Sequence, residues 1–506
     1  MPPTQDAARH PVRVWVALAR WLLLGLPVLG ACGLLLWLSV GGADWLGDGN
    51  APAFTLDHYT LDHYTTVART YLSRNAFFNT LYSAVPALAI AGGLAWLIYP
   101  ALTRAGWMRR VTLAVAGAVL LTPLAPSVLL WRTLWEPTLW LTDARGATAA
   151  AALVLGWRLA PIGLLAFWYA GRKASLRRAF GVGAWLLGGL ALLDTTVVYL
   201  LTRGEPFNAA HTAATWALQQ AWVAGHWGDA SVMLIVLLVL LLMMICVALL
   251  GLRLVRILVG QRVLSSVPQA RADAAGSAGR RWLGFAGALL LLPLPVWWGA
   301  ATLDWTQTQA TWQWLWAAGA GDWLVNTGLV AGGAAVLAWL LLALWLPRTR
   351  EPVPRFLRDG LLLAGVVGLG VSFLAVGWLR AHTVLADLDT RVVLAGLYGV
   401  VTACIVGGFR GVLALSPPMS PHMSPQRGLL WTAAGAMMLV QQDFALSLFL
   451  QPAWDDLILG PAAAMHLAGA PAYPHAVYWL FTGSFAGALL VLLLGHMWGG
   501  GRFRRM

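Results

Sequence analysis

Two carboxylates stand apart from the other acidic residues because apolar sequence surrounds them. Asp194 is followed by Thr195 and Thr196, and Asp443 is preceded by Gln441 and Gln442. An ionised carboxylate at mid-membrane costs roughly 2.5–3.5 kcal/mol on insertion scales, so such a group faces a cavity or a partner. Two readings follow: these polar clusters line a solute path, or each acid makes a structural hydrogen bond to a neighbouring helix. Arg158 is the only basic residue well inside an apolar run. Pairing with an acid is the expectation for it, ahead of binding an anionic solute or snorkelling. His496 is read as structural. Leu56-Asp57-His58-Tyr59-Thr60 is repeated at once as Leu61-Asp62-His63-Tyr64-Thr65. Asp-His pairs suit a metal or an acid–base site, but tandem duplication in an external loop accounts for them more simply.

Some chemistry is missing its motif. A phosphate-binding Walker loop needs a Gly-rich turn ending in Lys-Ser/Thr, and the sole lysine, Lys173, lies in no such context. His-Glu-x-x-His, Cys-x-x-Cys and Gly-x-Ser-x-Gly do not occur, so catalysis by a common motif is not expected, and no metal or cofactor is. Cys32, Cys246 and Cys404 all sit in apolar runs, where a disulfide framework is not expected.

The elements that must position these residues are membrane helices. The chain is 59% hydrophobic and only 10% charged, against about 25% charged in a soluble domain. Several apolar runs exceed the roughly 18 residues that suggest a spanning helix. The pattern predicts an all-α integral membrane protein with about twelve spans. They fall near 14–40, 78–102, 111–131, 147–170, 180–201, 230–252, 283–302, 323–346, 359–379, 391–409, 428–450 and 475–498. Leu29-Gly30-Ala31-Cys32 looks like a lipoprotein cleavage site, but the apolar run continues through Trp37, so a first membrane helix is the better reading. With the N-terminus inside, only Arg69, Arg74, Arg132, Arg145, Arg203, Arg380 and Arg391 of the 33 basic residues fall outside, and Arg158 falls within a span. That asymmetry predicts both termini in the cytoplasm. The net charge of +13 is spread over short loops, which points away from nucleic acid. Most of the 30 tryptophans read as anchors in the lipid interface.

The longest inner connection contains Gln269 to Gly279, rich in Ala, Gly and Ser, which is linker composition. It divides the chain into a first module (1–252), a basic cytoplasmic linker (253–282) and a second module (283–506), each module with six spans. Fusion of two such modules is a recurrent plan in transporters.

At the level of motifs the chain resembles the membrane permease subunits of binding-protein-dependent ABC importers, of the maltose and glycerol-phosphate type. In the first half, Asp62-His63-Tyr64 and then Asn79-Thr80-Leu81 resemble the family's entry into its core helices. Pro126, Trp131, Trp135 and Pro137 resemble the next segment. Asp194 followed by Thr202-x-Gly204-x-Pro206 resembles a Thr-x-Gly-Gly-Pro signature, with Glu205 replacing its second glycine. Gly228-Asp229-Ala230-Ser231 resembles the Gly-x-Ala-Ser that opens the last helix. In the second half, Asn326-Thr327 mirrors Asn79-Thr80, and Gln442-Asp443-Phe444 resembles a Trp-Asn-Asp-Phe segment. Order and spacing together carry the resemblance; no one motif is specific.

The resemblance implies two pseudo-symmetric six-helix modules in the bacterial inner membrane. Separate ABC ATPase subunits would bind on the cytoplasmic side, and a periplasmic solute-binding protein would deliver a sugar- or polyol-like solute. Asp194, Thr195, Gln442 and Asp443 would lie near the path. The ATPase would dock on Arg172, Lys173, Ala174, Ser175, Arg177, Arg178 and Phe180 and on the loop 410–427. That first loop departs from the family: only Ala174, Ser175 and Phe180 fit, Arg172 and Lys173 replace an Asp-Gly, and the Glu-Ala-Ala is absent. The second loop, Leu415 to Pro425, has a proline density that opposes a regular helix, which leaves coupling either altered or lost. Two other classes stay open. One is an ion-coupled transporter using Asp194 and Asp443. The other is a membrane enzyme of glycosyltransferase type with outer-loop acids such as Asp57, Asp62, Asp455 or Asp456.

Overall fold

Prolines interrupt what the apolar runs would otherwise make continuous. In the computed structural model, the residues described are 30–40, 60–103, 106–135, 139–172, 187–202, 210–259, 278–302, 306, 308–345, 365, 376, 378, 388–413, 433, 435–437, 440, 462 and 473–503. Every regular element among them is helical. The first half holds α1 (Gly30–Val40), α2 (Asp62–Arg69), α3 (Tyr71–Ile98), α4 (Trp107–Leu121), α5 (Leu124–Trp135) and α6 (Ala144–Arg172). Next come α7 (187–192), α8 (Thr196–Thr202), α9 (Ala213–Trp222) and α10 (Trp227–Val259). The rest are α11 (Ala278–Leu291), α12 (Leu294–Thr302), α13 (Thr308–Ala317), α14 (Ala320–Trp345), α15 (Thr390–Leu413) and α16 (Tyr473–Phe503).

Five of the described helices are long and apolar enough to cross a membrane, or seven if each of two bent pairs is one span. The chain is therefore built as a helical, multi-pass membrane protein. The sequence predicts one span each at 111–131 and 283–302, and in each the helix is bent at a break. α4 meets α5 at 89°, and α11 meets α12 at 57°. The residue before a proline is driven out of the helical region, and Thr122, before Pro123, is extended at φ −76° and ψ 137°. The predicted span 180–201 is also interrupted, between α7 and α8 at 193–195. The helix expected at 230–252 runs on to Val259, and α11 starts at Ala278, so both described ends of the linker 253–282 are helical. Its interior, the spans near 359–379 and 428–450 apart from single residues, and the loop 415–425 lie outside the described residues.

By contacts the chain divides into two compact units, Met1–Thr60 with Gly328–Val440, and Leu61–Thr327 with Gln441–Met506. The division falls inside α14. In the second of these units α3 packs along α6. The buried face of α3 is a stripe of small residues, Ala76, Ser83, Ala84, Ala87, Ala91 and Ala95. Small residues let two membrane helices approach closely, where packing replaces the hydrophobic drive that lipid does not supply. Gly156 of α6 requires that approach: an added Cβ would stand 2.8 Å from the Ala87 carbonyl oxygen. α2 and α9 pack on α10, and α16 lies against α4, α5 and α12. At the last of these contacts Gly299 leaves room for the Tyr478 ring, which a Cβ would meet at 2.4 Å. In the other unit Ala338 and Leu342 of α14 pack with Ala403 and Cys404 of α15, and Trp37 of α1 meets Trp378 edge-on at 5.6 Å. Cys32, Cys246 and Cys404 are free thiols.

Candidate functional site

In a continuous helix each carbonyl meets the N–H four residues on. Pro123 removes the N–H that Val119 would accept, and Pro293 and Pro295 do the same to Leu289 and Leu291. Carbonyls buried in protein or lipid without a donor each cost about 1–3 kcal/mol or more. The structure supplies a side-chain donor for each. Arg158, buried in α6, donates to the Val119 and Thr122 carbonyls, and to that of Leu120 at 3.5 Å. Trp157, its neighbour in α6, donates from Nε1 to the Leu291 and Leu292 carbonyls, both at 3.0 Å. Trp297 of α12 donates to the Leu289 carbonyl at 2.9 Å. The guanidinium also sits at the C-terminal end of α4, where the helix dipole favours a cation.

Arg158 thus stands where no sequence reading put it. Pairing with an acid is the expectation for it; among the described residues its hydrogen bonds include those to the Val119 and Thr122 carbonyls, and its burial excludes snorkelling. The signal in the sequence for these main-chain contacts is the set of prolines.

Asp194 lies in the break between α7 and α8, half-buried, and accepts the Val197 N–H on Oδ2 at 3.0 Å. It caps the first turn of α8, whose leading N–H groups have no partner within the helix. Thr195, also in the break, is buried, and its carbonyl accepts the Tyr199 N–H at 3.2 Å. The hydrogen bond that Asp194 makes runs to the start of α8, the next helix in the chain. Gln442 and Asp443 lie outside the described residues, as do Lys173, Ala174, Ser175, Arg177, Arg178 and Phe180; Arg172 is the last residue of α6. Asp57 and His58, the first copy of the tandem repeat, and Asp455 and Asp456 lie outside them too.

The second copy of the repeat is engaged. His63 Nδ1 meets Asp229 Oδ1 at 2.8 Å, joining α2 to the first turn of α10. Gly228 makes the contact possible, since a Cβ there would stand 2.3 Å from His63 Nε2. Asn79 and Thr80, buried in α3, fix the start of α9. Asn79 Nδ2 donates to the His211 carbonyl at 3.0 Å, and Thr80 Oγ1 accepts the Ala213 N–H at 2.8 Å. Thr212 completes the cap of α9 through a reciprocal box with Thr215. Among the described residues no group of three or more His, Cys, Asp or Glu is placed to hold a metal ion.

Comparison with protein-family models, with curated proteins and with solved structures finds no match to this chain. The class that the fold defines is a multi-pass helical membrane protein with broken spans and polar side chains at the breaks.

Proposed function

We propose that the chain is the membrane permease of a binding-protein-dependent ABC importer, with both six-span modules, 1–252 and 283–506, in one chain. Separate ATPase subunits dock on the cytoplasmic loops around Arg172–Phe180 and 410–427. A periplasmic solute-binding protein delivers a small polar, sugar-like solute to the outer loops. Asp194, Thr195, Gln442 and Asp443 lie near the path, in an inner-membrane protein with cytoplasmic termini.

One observation carries the reading: first-half segments through which the chain resembles this family engage one another or each other's flanks. Asp62-His63-Tyr64 meets Gly228-Asp229 through the 2.8 Å His63–Asp229 contact. Asn79-Thr80 holds the start of α9, which lies between the Thr202-x-Gly204-x-Pro206 segment and Gly228. A local echo in the second half supports it. There a short helix, α13, turns at Gly319 (φ 96°) into α14, where Asn326 and Thr327 are buried and Thr327 Oγ1 donates to the Trp323 carbonyl at 2.7 Å. In the first half α2 turns at Thr70 into α3, where Thr80 Oγ1 donates to the Ala76 carbonyl at 2.9 Å.

Uptake tests the reading. Cells that natively hold the chain are given a panel of labelled sugars and polyols. Accumulation that stops on ATP depletion and survives a protonophore is expected. Accumulation that survives ATP depletion and collapses with the proton gradient would contradict the importer.

A further inference from the structure

We infer that Trp157 and Arg158 couple the two broken helices, α4–α5 and α11–α12, so that the two elbows open and close as one hinge. The inference rests on the transport reading only for its consequence, that solute movement requires this joint motion. The coupling itself belongs to the isolated chain.

Adjacent residues on a helix point about 100° apart, so α6 can serve a different neighbour with each. Arg158 satisfies the carbonyls that the Thr122-Pro123 break frees, and Trp157 those that the Pro293–Pro295 break frees. Neither bent helix can reorder at its elbow without losing a donor held on the same turn of α6. A second connection closes the loop. Trp131 of α5 meets Trp157 edge-on at 5.9 Å and Trp298 of α12 edge-on at 6.2 Å. The downstream arms α5 and α12 are thereby joined by aromatic contact across the residue that caps the second elbow. Phe481 of α16 lies on the same ring, 6.5 Å from Trp157, which places this helix against the hinge. The Trp131 Nε1–H is itself buried and makes no hydrogen bond. A buried donor left unmet is a cost of this arrangement that another arrangement can relieve, as a two-position element requires.

A purely structural role predicts something different. If each side chain merely caps its own elbow, the two breaks loosen independently. Hydrogen–deuterium exchange on the full chain in lipid nanodiscs separates the cases, read on peptides covering 117–126 and 287–298. Trp157→Phe keeps a ring and deletes the N–H; Arg158→Lys keeps the charge and loses the fork. We expect each single change to raise exchange at both elbows by about tenfold, of the order that one lost hydrogen bond permits, and the double change to add little. An effect confined to 287–298 for Trp157→Phe and to 117–126 for Arg158→Lys overturns the coupling, as does no effect at either. Should either variant fail to fold, the unaltered chain still decides the matter. In a denaturant series, one cooperative opening with a shared slope at both elbows supports the hinge, and openings at separate concentrations overturn it. Neither measurement involves transport, so a failed hinge and a failed importer reading are distinguishable.

Discussion

At the scale of single residues, the most informative side chain is an arginine that serves the backbone. Arg158 meets carbonyls that a proline has left without donors, so its removal exposes a debt elsewhere in the chain. A buried acceptor without a donor costs about 1–3 kcal/mol. Arg158→Leu should therefore lower thermal stability in detergent well beyond Arg158→Lys, which keeps one donor group at the same end of α4; equal losses would mean that the carbonyls do not matter. Asp194 separates two ideas by one atom. Asp194→Ala deletes the cap of α8 and should cost about 1 kcal/mol, whereas Asp194→Asn keeps an oxygen for the Val197 N–H and should leave stability nearly unchanged. An importer of a neutral solute retains uptake in Asp194→Asn within a few-fold, and an ion-coupled transporter loses it; uptake of the labelled panel reads the difference. Gly228→Ala drives a Cβ into the His63 ring and should destabilise the α2–α10 contact by about 1–3 kcal/mol, as overpacking does. A thermal midpoint equal to that of the parent would refute the role given to this glycine.

At the scale of elements, the apolar runs located helices at most of the predicted spans that fall among the described residues, because burial in lipid demands length and apolarity and little else. Their interruptions were harder to read. Pro123, Pro293 and Pro295 were plain in the sequence, yet Pro86 and Pro161 sit inside α3 and α6 without ending them. Whether a proline breaks a span or only removes one bond depends on whether a neighbouring helix supplies donors for the freed carbonyls. That is a tertiary fact: Trp157 and Arg158 lie more than thirty residues away from the carbonyls they cap. The short helices α2, α9 and α13 were missed for another reason. They are too short and too polar to register as spans, and α9 is capped by a Thr212–Thr215 box that lacks the usual Glu or Gln at its fourth position. The small-residue stripe at Ala87, Ala91 and Ala95, four apart, was the legible sign of the α3–α6 contact. Gly156→Leu, placed against Ala87 and Ile90, should force these helices apart. The expected readout is faster proteolysis of the detergent-solubilised chain, and unaltered cleavage would show that the close approach is not required.

At the scale of the whole molecule, the chain is a helical membrane protein, and among the described residues polar side chains such as Arg158, Trp157 and Asp194 stand at helix breaks. The Asp-His duplication illustrates how far sequence reaches. Both copies read in sequence as a tandem duplication in an external loop, yet His63 of the second copy is held by Asp229 on α10, a partner 166 residues away that no local pattern reveals. The proposed importer requires a separate ATPase bound at the basic loop. Gentle extraction of the tagged chain from its native membrane, followed by purification, tests it most directly. We predict that an ATP-hydrolysing subunit co-purifies with the parent chain and is lost when Arg172, Lys173, Arg177 and Arg178 are changed together to alanine. A chain that purifies without any ATPase from both samples, while remaining folded and active in uptake, would contradict the account.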